Sequence, residues 1–375
     1  MGDGGQREGR AMSERAAEQA ADGAAAARKS SRAKTILRAV FSLVLIAAIF
    51  WYLLKDISLA DVWAAITAMT WGELAGLAVV GGWNLCTYAF VWMTVTPGLS
   101  FGRAMIMTQA TTAITNTVPA GSAIGIGMTY AMLHSWGFSR SRTTIAVLVS
   151  GVWNAFAKLA IPVLALALVA LQGNASATRV TAALVGIGGL IAAVVIFALM
   201  LRSERMAEKV GVTAGRVASR LLALIRRPPV QGWEIATVKF RNRTIDLLEH
   251  RWLPITAATL VSHLSLYLVL LVCLWDVGVS NAEVNWAEVL AVFAFARLAT
   301  AIPFTPGGAG VVEAVLITGL TAAGGDKPEV VAAVLVYRAL TWGLPILVGV
   351  FCLIWWRRQS LTHRAEATSA GATPP

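Results

Sequence analysis

Between Arg297 and Glu313 the chain does something an apolar segment cannot do alone. The flanks are strongly hydrophobic, yet the stretch holds Pro303 and Pro306, then Gly307, Gly308 and Gly310. Prolines remove backbone donors, and glycines weaken any helix that runs through them. In hydrocarbon an unpaired backbone group costs several kcal/mol, and a central charge costs about 3 kcal/mol or more. Broken backbone at membrane depth is therefore confined to places where protein buries it or where it lines a polar cavity. This break is the first candidate for a functional site, and the fold must shelter it.

Membrane depth is the right frame because the chain is 57% hydrophobic and only 14% charged, where a soluble domain carries about 25% charge. Several windows reach the roughly 20 apolar residues that cross a bilayer. A polytopic, all-α membrane protein is expected. The formal charge of +11 does not point to nucleic acid, because the basic residues fall in loops that one orientation places on the cytoplasmic side. Cys86, Cys273 and Cys352 sit within apolar stretches without metal-ligand spacing and read as packing residues. No cofactor or metal is expected, since nucleotide, dinucleotide and zinc motifs are missing.

Six segments are long enough to span, at about 35–54, 72–94, 143–171, 180–201, 252–275 and 329–356. Two more, 102–134 and 287–323, are interrupted near their middles, the first around Pro119 and Gly121, the second from Pro303 to Gly310. Each arm is roughly 13–17 residues, too short at about 1.5 Å per residue for about 30 Å of hydrocarbon. Six spans plus two re-entrant helical hairpins are expected. Residues 1–33 and 359–375 read as disordered cytoplasmic ends of a membrane domain over 34–358. The preceding basic residues and the uncleaved look of the first apolar run suggest a retained anchor.

Charge sets the orientation. With the amino terminus inside, cytoplasmic segments carry Arg103, Arg140, Arg142, the basic loop 202–251, Arg357, Arg358 and Arg364, against only Lys55, Arg179 and Lys327 outside. Both termini are thus expected in the cytoplasm of a plasma-membrane protein. The loop 202–251 includes a patch at 217–225 that could lie as an amphipathic helix on anionic headgroups. In this orientation the hairpins enter from opposite faces. Each is followed by a span with a buried cation and a proline, Lys158 with Pro162 and Arg338 with Pro345. Two like units in opposite orientation form an inverted repeat, which in transporters places the substrate site at the midplane.

The charges expected inside the bilayer are Lys158, Arg297, Glu313 and Arg338. Glu313 is expected to pair with Arg297, placed at similar depth on the other arm, or with Arg338. Three cations against one carboxylate, together with the positive helix ends at the breaks, favour an anion such as a phosphate-bearing headgroup. Asn116, Thr300, Thr305, Trp153, Asn154, Tyr337 and Trp342 could complete a cavity, and His263 could relay protons, although each is more often a packing or interhelical group.

At these positions the chain resembles the integral membrane family named after the transmembrane region of lysylphosphatidylglycerol synthases, also described as flippase-like. The resemblance rests on Arg297-Leu298, Pro303, the run Pro306-Gly307-Gly308 with Gly310 and Glu313, then Tyr337-Arg338, Trp342 and Pro345. It covers about 35–356. Asn116, Pro119 and Gly121 match the family's first break more loosely, and Ser122 to Met128 lack the charges often found after it. The resemblance implies lipid handling and no enzymatic activity in the membrane part, since lysyl transfer in such synthases belongs to a separate soluble domain. Two functions follow as expectations. One is a transporter that moves an anionic phospholipid or polyprenyl-phosphate-linked glycan between leaflets. The other is an accessory subunit that presents such a lipid to a separate glycosyltransferase or lipid-modifying partner.

Overall fold

The computed structural model describes residues 58–118, 121–172, 177–224, 233–300 and 305–370, together with Val44 and Trp51. The first expected span, the proline of each break at 119 and 303, and most of the two ends lie outside these residues. Among the described residues every regular element is helical. They are α1 Leu59–Thr67, α2 Trp71–Val95, α3 Phe101–Thr117, α4 Gly121–Ser135, α5 Arg140–Leu171 and α6 Ala177–Arg202. There follow α7 Glu204–Leu224, α8 Trp233–Val277, α9 Trp286–Ala299, α10 Val311–Ala322, α11 Lys327–Arg338 and α12 Leu344–Ala370.

Local chemistry starts several of them. Thr70 and Glu73 form a capping box at α2, and Asn285 with Glu288 forms another at α9. Each satisfies amides that would otherwise be orphaned at a helix end. Five helices are long and apolar enough to cross a membrane: Trp71–Val95, Arg140–Leu171, Leu184–Arg202, Phe240–Val277 and Lys327–Gln359. With the family evidence given below, this makes the chain an integral membrane protein.

Helix α2 packs on α8, α3 on α12, α5 on α6 and α9, and α11 on α8 and α1. The largest core joins α8 to α11 through Leu270, Leu274, Phe293, Leu316, Leu320 and the run 330–334. A second core closes α3 and α4 around Met107, Met132 and Leu133, with Leu353 and Trp356 of α12 against it. Lipid is as apolar as these side chains, so association rests on close packing and interhelical hydrogen bonds. Asn84 donates to Ser265 at 3.3 Å, Thr87 to Ser262 at 3.4 Å and Trp153 to Thr256 at 2.9 Å. Large apolar side chains such as Leu184, Ile191, Leu347 and Phe351 point outward instead.

Most of residues 202–251, read from sequence as a basic loop with an amphipathic patch at 217–225, is helical: α7 and a long α8 fill it and pack on each other. Arg241 on α8 explains the join. Its Nε donates to the Leu201 carbonyl at 2.9 Å and its guanidinium meets Glu204 at 3.5 Å, capping the end of α6 and anchoring α7. The interrupted stretches also appear as helix pairs: α3 packs on α4, and α9 on α10.

Candidate functional site

The second break is built by glycine. Pro306–Gly308 forms one 3-10 turn, and Gly307, Gly308 and Gly310 have φ of 59°, 70° and 82°, a region L side chains rarely adopt. Gly307 also lies where α3 meets the turn Ala339–Gly343 that precedes α12. A Cβ there would fall 2.6 Å from both Asn116 Oδ1 and the Trp342 indole nitrogen. The first break uses glycine for closeness alone: a Cβ on Gly121 would strike the Ile114 carbonyl and the Thr115 backbone of α3.

Around the second break the charges sort themselves. Glu313, 4% exposed, sits in the first turn of α10, where the helix N-terminus favours a carboxylate. Arg338, the last residue of α11, donates from Nε to Glu313 Oε1 at 2.7 Å. Its guanidinium also reaches the Gly307 carbonyl at 3.5 Å and lies 5.5 Å from the Trp342 ring centre. The backbone then passes through a π-helical turn, Ala339–Gly343, before Pro345, which cannot donate to an α-helical ladder. Glu313 Oε2, Thr305 Oγ1 and Trp342 Nε1 remain buried without hydrogen-bond partners.

Arg297 goes elsewhere. Near the end of α9 it lines a cavity of about 320 Å³ bounded by α2, α4, α5 and α8 as well. Tyr88, Thr129, Ser150, Asn154, Ser262 and His263 supply polar walls, and among the described residues no carboxylate lines it. The Arg297 Nε is buried and unpartnered. Lys158 of α5 stands nearby, its Nζ donating to Thr300 Oγ1 at 3.1 Å, while Thr300 donates to the Arg297 carbonyl at 2.6 Å. The ammonium therefore sits at the negative end of α9. Among the described residues no carboxylate is within ion-pair distance of Arg297 or Lys158.

The residues singled out from sequence thus form two groups. Arg297, Lys158, Thr300, Asn154 and His263 gather at or beside the cavity. Glu313, Arg338, Asn116, Trp342 and the glycines gather at the break, with Tyr337 buried in the core. Trp153 is held by Thr256 of α8. Sequence reasoning missed Tyr88, Thr129, Ser150 and Ser262. A signal existed for part of this set: Thr259, Ser262 and His263 fall at i, i+3 and i+4, one polar stripe along an apolar span.

The inner membrane protein YbhN of Escherichia coli (strain K12) is 30% identical over 141 residues, 37% of this chain and 43% of that protein. The chain thus matches less than half the length of that relative. The family described as "Lysylphosphatidylglycerol synthase TM region" matches residues 39–349, a range that contains the cavity, both breaks and the Glu313–Arg338 pair. The protein belongs to that family.

Proposed function

We propose that the protein moves an anionic lipid, a phospholipid or a polyprenyl-phosphate-linked glycan, between leaflets, with the headgroup phosphate held at Arg297. One observation carries this reading: an arginine without a carboxylate partner among the described residues, its Nε unsatisfied, on the wall of a polar cavity. A buried cation is retained at such a cost where an anion completes it. Lys158 adds a second positive charge close by, while Arg338 is already neutralised by Glu313.

The cavity lies between α4, the second arm of the first break, and α9, the first arm of the second. The four arms are 17, 15, 14 and 12 residues, or roughly 18–25 Å at helical rise against about 30 Å of hydrocarbon. Two re-entrant hairpins in an inverted repeat fit these lengths. The membrane domain then spans 34–358 with both ends cytoplasmic. Rocking one repeat against the other at the Asn116–Gly307 contact would open Arg297 to each leaflet in turn, while the acyl chains stay in the bilayer.

Liposomes of defined composition holding the purified protein and a fluorescent anionic phospholipid test this. The parental protein is expected to make the inner-leaflet probe accessible to an external quencher. Arg297→Gln is expected to slow that exchange at least tenfold without losing its folded, monodisperse state. Parental exchange no faster than protein-free liposomes, with lipid still bound, would turn the assignment to an accessory subunit that hands lipid to a separate transferase.

A further inference from the structure

Helix α8 brings His263, 6% exposed, to the cavity that Arg297 lines. Its Nδ1 lies 3.0 Å from the Thr259 carbonyl. A carbonyl only accepts, so Nδ1 carries a proton. The other nitrogen, Nε2, is buried without a partner. A doubly protonated ring would bury a second charged donor with nothing to receive it, on the wall that already holds Arg297. The neutral ring instead presents a lone pair. The cavity therefore pairs one cationic donor with one neutral acceptor, and it has no carboxylate to receive an ammonium group.

We infer that the cavity reads a phosphodiester headgroup bearing a hydroxyl beside the phosphate, with His263 Nε2 accepting from that hydroxyl, and that it rejects a cationic, aminoacylated headgroup. This rests on the phosphate reading of Arg297. Asn154 and Ser150 stand on the neighbouring α5 wall as further partners for a polyol. At about 320 Å³ the space is at the small end of ligand pockets, roughly 300–1,000 Å³, which suits a headgroup without its acyl chains. Lysylphosphatidylglycerol, the lipid in the family's name, carries ammonium groups that Arg297 and Lys158 would repel.

The test uses the full chain in nanodiscs of phosphatidylcholine doped with one probe lipid, with binding followed by native mass spectrometry. Phosphatidylglycerol and phosphatidylpropanol share charge and near-equal size, and only the first has headgroup hydroxyls. The parental protein is expected to prefer phosphatidylglycerol about tenfold, the scale of one good hydrogen bond, and to bind lysylphosphatidylglycerol at least tenfold more weakly. His263→Leu is expected to bind the first two equally. Glycerophosphoglycerol, the same headgroup without acyl chains, should displace the lipid poorly; displacement at equal concentration would overturn the lipid assignment. Equal parental binding of phosphatidylglycerol and phosphatidylpropanol, or undiminished lysylphosphatidylglycerol binding, would overturn the headgroup inference without needing any variant. Arg297→Gln that binds both anionic lipids like the parent would remove the phosphate reading beneath it.

Discussion

Gly307 is the residue at which the two breaks touch, and it tolerates no side chain for two independent reasons. Its φ of 59° is left-handed, and the space a Cβ needs is taken by Asn116 and Trp342. Gly307→Ala is expected to lower stability by about 2–4 kcal/mol, combining a left-handed backbone cost with overpacking. The loss should appear as a depressed Tm in detergent, and an unchanged Tm would mean that the two breaks do not bear on each other. Residue identity was legible where chemistry is rare. Arg297, Glu313, Arg338 and Lys158 stand out because charges in apolar segments are costly. Their partners were harder to read, since sequence gives depth along a helix and not the direction a side chain faces. From sequence Arg297 and Arg338 are both expected partners of Glu313; Arg338 takes the carboxylate and Arg297 turns to the cavity. Thr129 and Ser150 were less visible still, because a Ser or Thr hydroxyl in an apolar helix is commonly satisfied by its own backbone, as both are here.

At the scale of elements, α10, α11 and the π-helical turn act as one unit pinned by Arg338. The pair is nearly dry, with side-chain exposures of 12% and 5%. Removing one member of such a pair leaves a buried, uncompensated charge and costs about 3–5 kcal/mol. Glu313→Gln and Arg338→Gln are each expected to lower the folded fraction in membranes markedly, and the double variant to lose less than the sum. Folded protein measured by size-exclusion fluorescence for all four combinations checks this, and strictly additive losses would rule out a coupled pair. Element positions were legible where hydropathy marks them: the expected 72–94 and 143–171 correspond to Trp71–Val95 and Arg140–Leu171. In residues 202–251 helix was legible only at the amphipathic patch 217–225, because the polarity of the rest reads as loop. Within that range 204–224 and 233–251 fold as helix through contacts sequence does not display, above all Arg241 on the last carbonyls of α6.

For the whole molecule, parity of crossings relates the two breaks of the proposed topology. Between α4 and α9 lie three helices able to span, α5, α6 and α8. An odd number of crossings carries the chain to the opposite face. Two hairpins that each return to their own side must then enter from opposite sides, which is the condition for an inverted repeat. The proposed orientation, drawn from the distribution of basic residues, puts Ser100 and Ser139, which bracket the first hairpin, inside, and Asn281 and Asp326, which bracket the second, outside. With Cys86, Cys273 and Cys352 first replaced, single cysteines at these four positions and at Val118, the exposed tip of the first hairpin, report the arrangement. An impermeant maleimide added to intact cells is expected to label Asn281→Cys and Asp326→Cys, and to label Ser100→Cys and Ser139→Cys only after permeabilisation. Val118→Cys separates the remaining alternatives, because 17 residues of α3 reach only about 25 Å at helical rise. A re-entrant tip stops short of the far surface and stays unlabelled in intact cells. Rapid labelling of Val118→Cys from outside would make α3 and α4 complete spans, and would dissolve the symmetry on which alternating access at Arg297 depends.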